Sequence, residues 1–233
     1  MIEIDDLRFA WRGAAADCIA IDWLSVASGE RVFLYGPSGG GKSTLLGLLA
    51  GVLVPHHGHV SLQGTDWSSL SGADRDAYRA DHVGYIFQQF NLLPYLSAMD
   101  NVLLPCRFSA KRRARATAEA GSPREAARSL LERVGLEPAL RTRAASMLSV
   151  GQQQRVAAAR ALIGHPEVVI ADEPTSALDA PLRDAFMDLL LGQCAAAGST
   201  LVFVSHDERL AARFDRVVPL AGINHSGGLK APP

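Results

Sequence analysis

Nine consecutive residues constrain this 233-residue chain more than any other feature: Gly36, Pro37, Ser38, Gly39, Gly40, Gly41, Lys42, Ser43 and Thr44. They fit the pattern G-x-x-x-x-G-K-[S/T], directly after the apolar run Arg31–Tyr35 and directly before a leucine-rich stretch. A short strand ending on glycine, a glycine-rich curl and then a helix start turns successive backbone N–H groups inward. Such a nest takes phosphate oxygens. A lysine in it bridges the β- and γ-phosphates, and the hydroxyl after the lysine ligates Mg²⁺. The segment therefore reads as a nucleotide site, with Lys42 and Ser43 in those two roles.

The rest of the chain fits an α/β protein built on a parallel sheet. The length suits one sizeable domain, with room for an inserted subdomain. Composition is 48% hydrophobic and 20% charged, which excludes a disordered chain. A net charge of −1 gives no overall attraction to nucleic acid, so no nucleic-acid partner is expected. Cys18, Cys106 and Cys194 match no metal or redox spacing and read as reduced, packed thiols. Acids stand near the N-terminus where a secretory signal would carry bases. The longest apolar stretch, residues 45–54, holds two glycines and reaches half of the ~20 residues a bilayer needs. The chain is expected not to cross a membrane itself.

Residues 2–9 alternate apolar and polar and predict an edge strand, with a second at 19–24. Strands are also predicted at 31–35, 60–62, 83–87, 168–171 and 201–204, and helices at 42–51 and 182–197. From 90 to 164 the character turns helical, rich in Ala, Arg and Leu. Within it the basic run 110–120 reads as a solvated helix face. His56, His57 and His59 fall in an expected polar turn with no acid or thiol beside them, which argues against a metal site. A tail is expected to fray after residue 221.

Residues 168–171 lead into Asp172 and Glu173. In a parallel sheet ligands sit beyond the carboxyl ends of the strands, so both acids arrive where phosphates bind. Asp172 is placed for the Mg²⁺ shell and Glu173 to orient and deprotonate a water. Gln88 and His206 also follow apolar strands. His206 is read as a γ-phosphate contact, and Gln88 as reaching the metal or the water.

Leu148-Ser149-Val150-Gly151-Gln152, about twenty residues before the acidic strand, closely resembles the L-S-G-G-Q signature of ABC ATPases. The resemblance runs from residue 2 to about 220. It implies a P-loop NTPase (RecA-like) core at about 1–89 and 165–221, with an N-terminal antiparallel β subdomain and an inserted α-helical subdomain at about 90–164. It makes Gln88 the Q-loop, Ser176 to Asp179 the D-loop and His206 the H-loop. Trp11 resembles the adenine-stacking aromatic, with Phe9 as the alternative. ATP and Mg²⁺ follow as cofactors. Glu173, His206 and Gln88 are the implied catalytic residues, and Ser43, Gln88 and Asp172 the implied metal ligands. Trp11, residues 36–44, Ser149, Gly151, Gln152 and Asp179 are implied to bind ATP. In the family the signature meets the γ-phosphate held by the opposite subunit, so a second copy completes each site. Val150 departs from the usual glycine and adds bulk.

Residues 87–94, 101–102, 151–155 and 171–179 look like the group of lipoprotein-releasing (LolD), macrolide-export (MacB) and cell-division (FtsE) cassettes. That implies mechanical work on a separate integral-membrane permease, contacted through residues 91–104, at the cytoplasmic face of the membrane. The alternatives are a soluble ABC ATPase in a non-transport process and an importer cassette.

Overall fold

The computed structural model describes residues 1–176 and 178–226. In chain order the strands are β1 (Ile2–Phe9), β2 (Ile19–Val26), β3 (Arg31–Tyr35), β4 (His57–Leu62), β5 (Thr65–Asp66), β6 (Val83–Ile86), β7 (Val168–Asp172), β8 (Thr200–Val204) and β9 (Arg216–Pro219). The helices are α1 (Lys42–Leu49), α2 (Gly72–His82), α3 (Ala98–Phe108), α4 (Ala110–Ala120), α5 (Pro123–Arg133), α6 (Val150–Leu162), α7 (Ala180–Ala197) and α8 (Leu220–Ile223). Two compact units result: Met1–Arg79 with the described residues from Thr200 onward, and Ala80–Ser199. This division differs from the expected one, because β6, β7 and α7 group with the helices of residues 90–164.

In the first unit β2, β1, β4 and β5 form an antiparallel sheet in that order, with Ile4 opposite Leu24 on one side and Val60 on the other. Alternation along β1, shifted by one residue at an irregularity between Asp5 and Arg8, puts Ile2, Ile4, Leu7 and Phe9 inward. β3 lies between β8 and β9, parallel to both. The interiors of β3 and β8 are buried runs of Val, Leu and Phe, as strands covered on both faces require. Phe33, Phe203 and Phe214 pack there at centroid distances of 5.2–6.1 Å. β4 begins at His57, three residues earlier than the sequence predicts. The histidines consequently have acids beside them, contrary to expectation. His56 lies 3.4 Å from Asp17, His57 2.9 Å from Asp6 and His59 2.6 Å from Asp66. Each takes a different acid, and no cluster fit for a metal occurs among the described residues.

In the second unit β6 runs parallel to β7. Ser97, Ser109, Ser122, Ser149 and Asp179 cap α3 to α7 by accepting from backbone N–H groups of the first turn. The basic run on α4 is not a solvated face. Arg112 is 2% exposed and donates to the carbonyls of Ile163 (2.7 Å), Ala161 (2.6 Å) and Val83 (3.3 Å). Carbonyls at the end of α6 lack helical partners and carry partial negative charge, so they draw the guanidinium inward. Gly164 makes this approach possible: at φ +69 a Cβ there would stand 2.5 Å from the Arg112 carbonyl oxygen. Arg115 donates to His165 O and Glu167, and Lys111 pairs with Glu167. No helix among the described residues is long and apolar enough to cross a membrane.

Candidate functional site

In the first unit, residues 36–41 leave the end of β3 and curl into α1. Gly41 at φ 88 is the N-cap, and no side chain caps the helix, unlike α3 to α7. A Cβ at Gly41 would meet Ile19 Cδ1 at 2.7 Å, so only glycine turns the chain there. The first N–H groups of α1 therefore have no side-chain cap, an arrangement suited to an anion. Lys42 is 8% exposed, and its Nζ donates to the carbonyls of Gly36 (2.9 Å) and Pro37 (3.0 Å), across the mouth of the loop. Ser38 and Ser43 are exposed. β3 and β8 are in parallel register, Leu34 opposite Val204. Two residues further on, Gly36 and His206 leave the same edge.

Trp11, Pro37, Gly39, Gly40, Gly41 and Thr44 line one cavity of about 200 Å³. Trp11 is 40% exposed, whereas Phe9 is buried and meets it edge-on at 5.3 Å. Of the two aromatics considered, only Trp11 lines the cavity. Cys18, Leu220, Ala221, Asn224 and Ser226 complete the lining. No motif in the sequence marks them, and residues 222–226 belong to the tail expected to fray. Instead Asn224 and Ser226 are hydrogen-bonded to the start of β2 and to the residue before it. Residues 227–233 of that expected tail lie outside the described residues.

In the second unit, Ile86 on β6 is opposite Ala171 on β7, which sends Gln88 and Glu173 off the same edge. Asp172 is the buried last residue of β7. Burial pushes the Tyr85 phenol well above its ordinary range, and the charge of Asp172 adds to the effect. Glu173 takes φ 42, a left-handed backbone that non-glycine residues seldom adopt. The turn after it is held from α6: Gln154, 1% exposed, donates Nε2 to Pro174 O. Also on α6, Arg160 donates to the carbonyls of Phe90 and Asn91, both at 2.6 Å and both at positive φ. One helix thus holds the segments that follow Gln88 and Glu173.

The same helix begins at Ser149. Ser149 Oγ accepts from Gln152 N (3.4 Å), and Gln152 Oε1 accepts from Ser149 N (2.9 Å), a reciprocal capping box. Ser149 is exposed, Val150 is 50% exposed, and nothing lies within 4 Å of a Cβ built on Gly151. Asp179 caps α7 by accepting from Leu182 N (3.0 Å). Ala177, inside the expected D-loop, lies outside the described residues.

The family model described as ABC transporter matches residues 22–176. The chain belongs to the ABC transporter family. The lipoprotein-releasing system ATP-binding protein LolD of Novosphingobium aromaticivorans is 42% identical, over 99% of this chain and 98% of that protein. The ABC transporter ATP-binding protein YbbA of Escherichia coli is 45% identical, over 84% of this chain and 83% of that one. Among solved structures, the dimeric bacterial ABC transporter cassette MJ0796 superposes with a TM-score of 0.81 at 33% identity, over 94% of each chain. A post-hydrolysis state of that cassette, bound to ADP and Pi, matches at 0.81 and 31% over the full length of both.

This ABC cassette is an ATP-binding ATPase subunit of the LolD group, with the α/β fold of P-loop NTPases. The family match begins at residue 22 and ends at 176. Trp11, Asp179, His206 and the wall from Leu220 to Ser226 all lie outside it.

Proposed function

We propose that two copies of this cassette close head-to-tail around two MgATP, and that closure drives a separate integral-membrane permease in lipoprotein-release, macrolide-export or mechanotransmission work. The observation that carries this reading is the exposed start of α6. Its anion-binding end bears Ser149 and Gly151 with open space in front of them. An N-terminus so arranged is suited to a phosphate brought by another molecule. The solved MJ0796 relatives are dimers, which supports the same arrangement.

In this reading the N–H groups of residues 36–44 cradle the phosphates and Lys42 bridges β and γ. Trp11 stacks on the base and His206 contacts the γ-phosphate. Ser43, Asp172 and Gln88 supply hydroxyl, carboxylate and amide oxygens, a hard donor set that suits Mg²⁺. The bound ion would neutralise charge on the β- and γ-phosphoryl oxygens. Glu173 accepts the proton of the attacking water. Ser149, Gly151 and Gln152 of one copy face the γ-phosphate held by the other, with Asp179 beside them. Tyr95, within the segment at 91–104 that receives the permease, is 75% exposed, and Phe108, just beyond it, is 77% exposed. The cassette then sits peripherally at the cytoplasmic face of the membrane.

The test is Glu173→Gln protein with ATP and Mg²⁺ in size exclusion with light scattering. A doubling of mass on ATP addition is expected, followed by co-purification with a permease from solubilised membranes. A mass that stays monomeric at every ATP concentration removes the sandwich dimer. A dimer that brings down no membrane protein removes the permease.

A further inference from the structure

The carboxyl end of the described chain does more than close the fold. From α8 onward, residues 220–226 run back as a strap along the start of β2. His225 N donates to Ala20 O (2.7 Å), and Ala20 N donates to the Asn224 side-chain oxygen (2.8 Å). Asn224 Nδ2 donates to Cys18 O (3.1 Å), which also accepts from Ser226 Oγ (2.9 Å). The Asn224 oxygen takes a second donor from Ser226 N (3.2 Å). Asn224 thus joins the strap both to β2 and to itself.

The strap runs close beside the phosphate loop at two places, leaving little room there for a side chain. A Cβ on Gly36 would lie 3.3 Å from Leu220 Cβ, and one on Gly41 would lie 3.4 Å from Cys18 O and 3.9 Å from Asn224 Nδ2. Leu220, Ala221 and Asn224 line the same cavity as Trp11 and the loop glycines. Leu220 and Ala221 offer apolar surface there, and Asn224 an amide. They extend the cavity away from the N–H nest as a surface apolar at one end and amide-bearing at the other, which suits a heterocycle and a sugar. This stretch also lies outside residues 22–176, the part matched by the family.

We propose that residues 220–226 form a wall of the nucleotide site for the base and ribose of ATP, and that Asn224 is the positioning residue that holds this wall. The inference rests on the reading that the cavity takes ATP. Asn224 acts through the backbone of Cys18 and Ala20. Its loss lets the strap leave the cavity while the loop of residues 36–44 keeps its own hydrogen bonds.

The experiment is calorimetric titration of the full chain with two probes, ATP and inorganic tripolyphosphate, which has no base or sugar. Wild type, Asn224→Ala, Asn224→Asp and Trp11→Ala are compared. Asn224→Ala should weaken ATP about tenfold while tripolyphosphate changes by less than about twofold. Asn224→Asp keeps the acceptor for Ala20 N and Ser226 N but loses the donor to Cys18 O, so it should fall between wild type and Asn224→Ala. An ATP affinity unchanged in both Asn224 variants overturns the wall, and so does an equal loss for both probes. Trp11→Ala separates the two levels of the argument. If it weakens ATP and the Asn224 variants do not, only the strap fails. If it leaves ATP unchanged, the base does not enter this cavity and the underlying reading fails as well.

Discussion

Gln154 Nε2 donates to the carbonyl of Pro174 at 2.5 Å, which joins the interior of the signature helix to the residue after Glu173. Glu173 sits at φ 42, a conformation that costs about 1 kcal/mol or more and persists only when its surroundings hold it. Gln154→Leu preserves volume and leaves that buried carbonyl unpaired, a loss of about 1–3 kcal/mol. Thermal unfolding should register this as a lower midpoint. Steady-state ATPase assays should show kcat down about tenfold with KM changed by less than about twofold, because a displaced carboxylate impairs chemistry and not nucleotide capture. A full kcat in a destabilised variant would show that Gln154 serves packing alone.

Arg112 supplies a second prediction. Its guanidinium satisfies the carbonyls of Ile163 and Ala161, and burial drives its pKa down to about 10, still protonated at neutral pH. Arg112→Met strands those carbonyls and should cost about 3 kcal/mol or more, lowering the unfolding midpoint by roughly 10 °C. Arg112→Lys should recover little, since an ammonium lacks the fork that reaches several carbonyls at once. A midpoint within about 2 °C of wild type for the methionine variant would contradict the clamp.

These two residues mark where the sequence stops being readable. Apolar runs such as residues 168–171 announce buried parallel strands by themselves, and the loop at 36–44 announces its ligand, because both signals are contiguous. Arg112 belongs to a run whose composition describes a wet helix face. What turns it inward is the end of α6, some fifty residues away in sequence. His57 and His59 likewise gain Asp6 and Asp66 only through the pairing of β4 with β1 and β5. Asn224 stands among residues of low structural propensity, and its role appears only once its bonds to Cys18 and Ala20 are known. Trp11 and Phe9 are chemically alike at the level of the sequence; Phe9 is the buried last residue of β1, whereas Trp11 follows beyond the strand's end.

Glu167 gives a pH dependence with a definite sign. Burial alone would raise its carboxyl, but the hydrogen bond from Arg115, the nearby His82 and the hydrogen bond from Lys111 outweigh it and hold the pKa at about 2. The folded value lies below the ordinary 4.5, so the stabilisation is complete above pH 4.5 and is lost as pH falls toward 2. About 3 kcal/mol is at stake. Burial also lowers the pKa of His82 despite Glu167 at 3.2 Å, so charging it in acid works in the same direction. Denaturant unfolding at pH 7, 5 and 3 should show a steep drop across the last interval, and a shallower one in Glu167→Gln. Identical profiles for the two proteins would rule out Glu167 as the source.

Ser149 allows the two duties of the signature to be separated. Its Oγ accepts from Gln152 N as a helix cap, and the hydroxyl proton remains available to an incoming phosphate oxygen. Aspartate caps as well as serine, so Ser149→Asp should keep the α6 start and leave the unfolding midpoint within about 2 °C. It has no proton to donate at neutral pH and sets a negative charge where the γ-phosphate of the other copy would arrive. In a Glu173→Gln background, Ser149→Asp should therefore bind ATP normally and remain monomeric in light scattering. Ser149→Ala loses about 1 kcal/mol of capping and should dimerise weakly. An ATP-dependent dimer at wild-type concentrations in Ser149→Asp would mean that the exposed end of α6 does not meet phosphate, and the composite site would have to be abandoned.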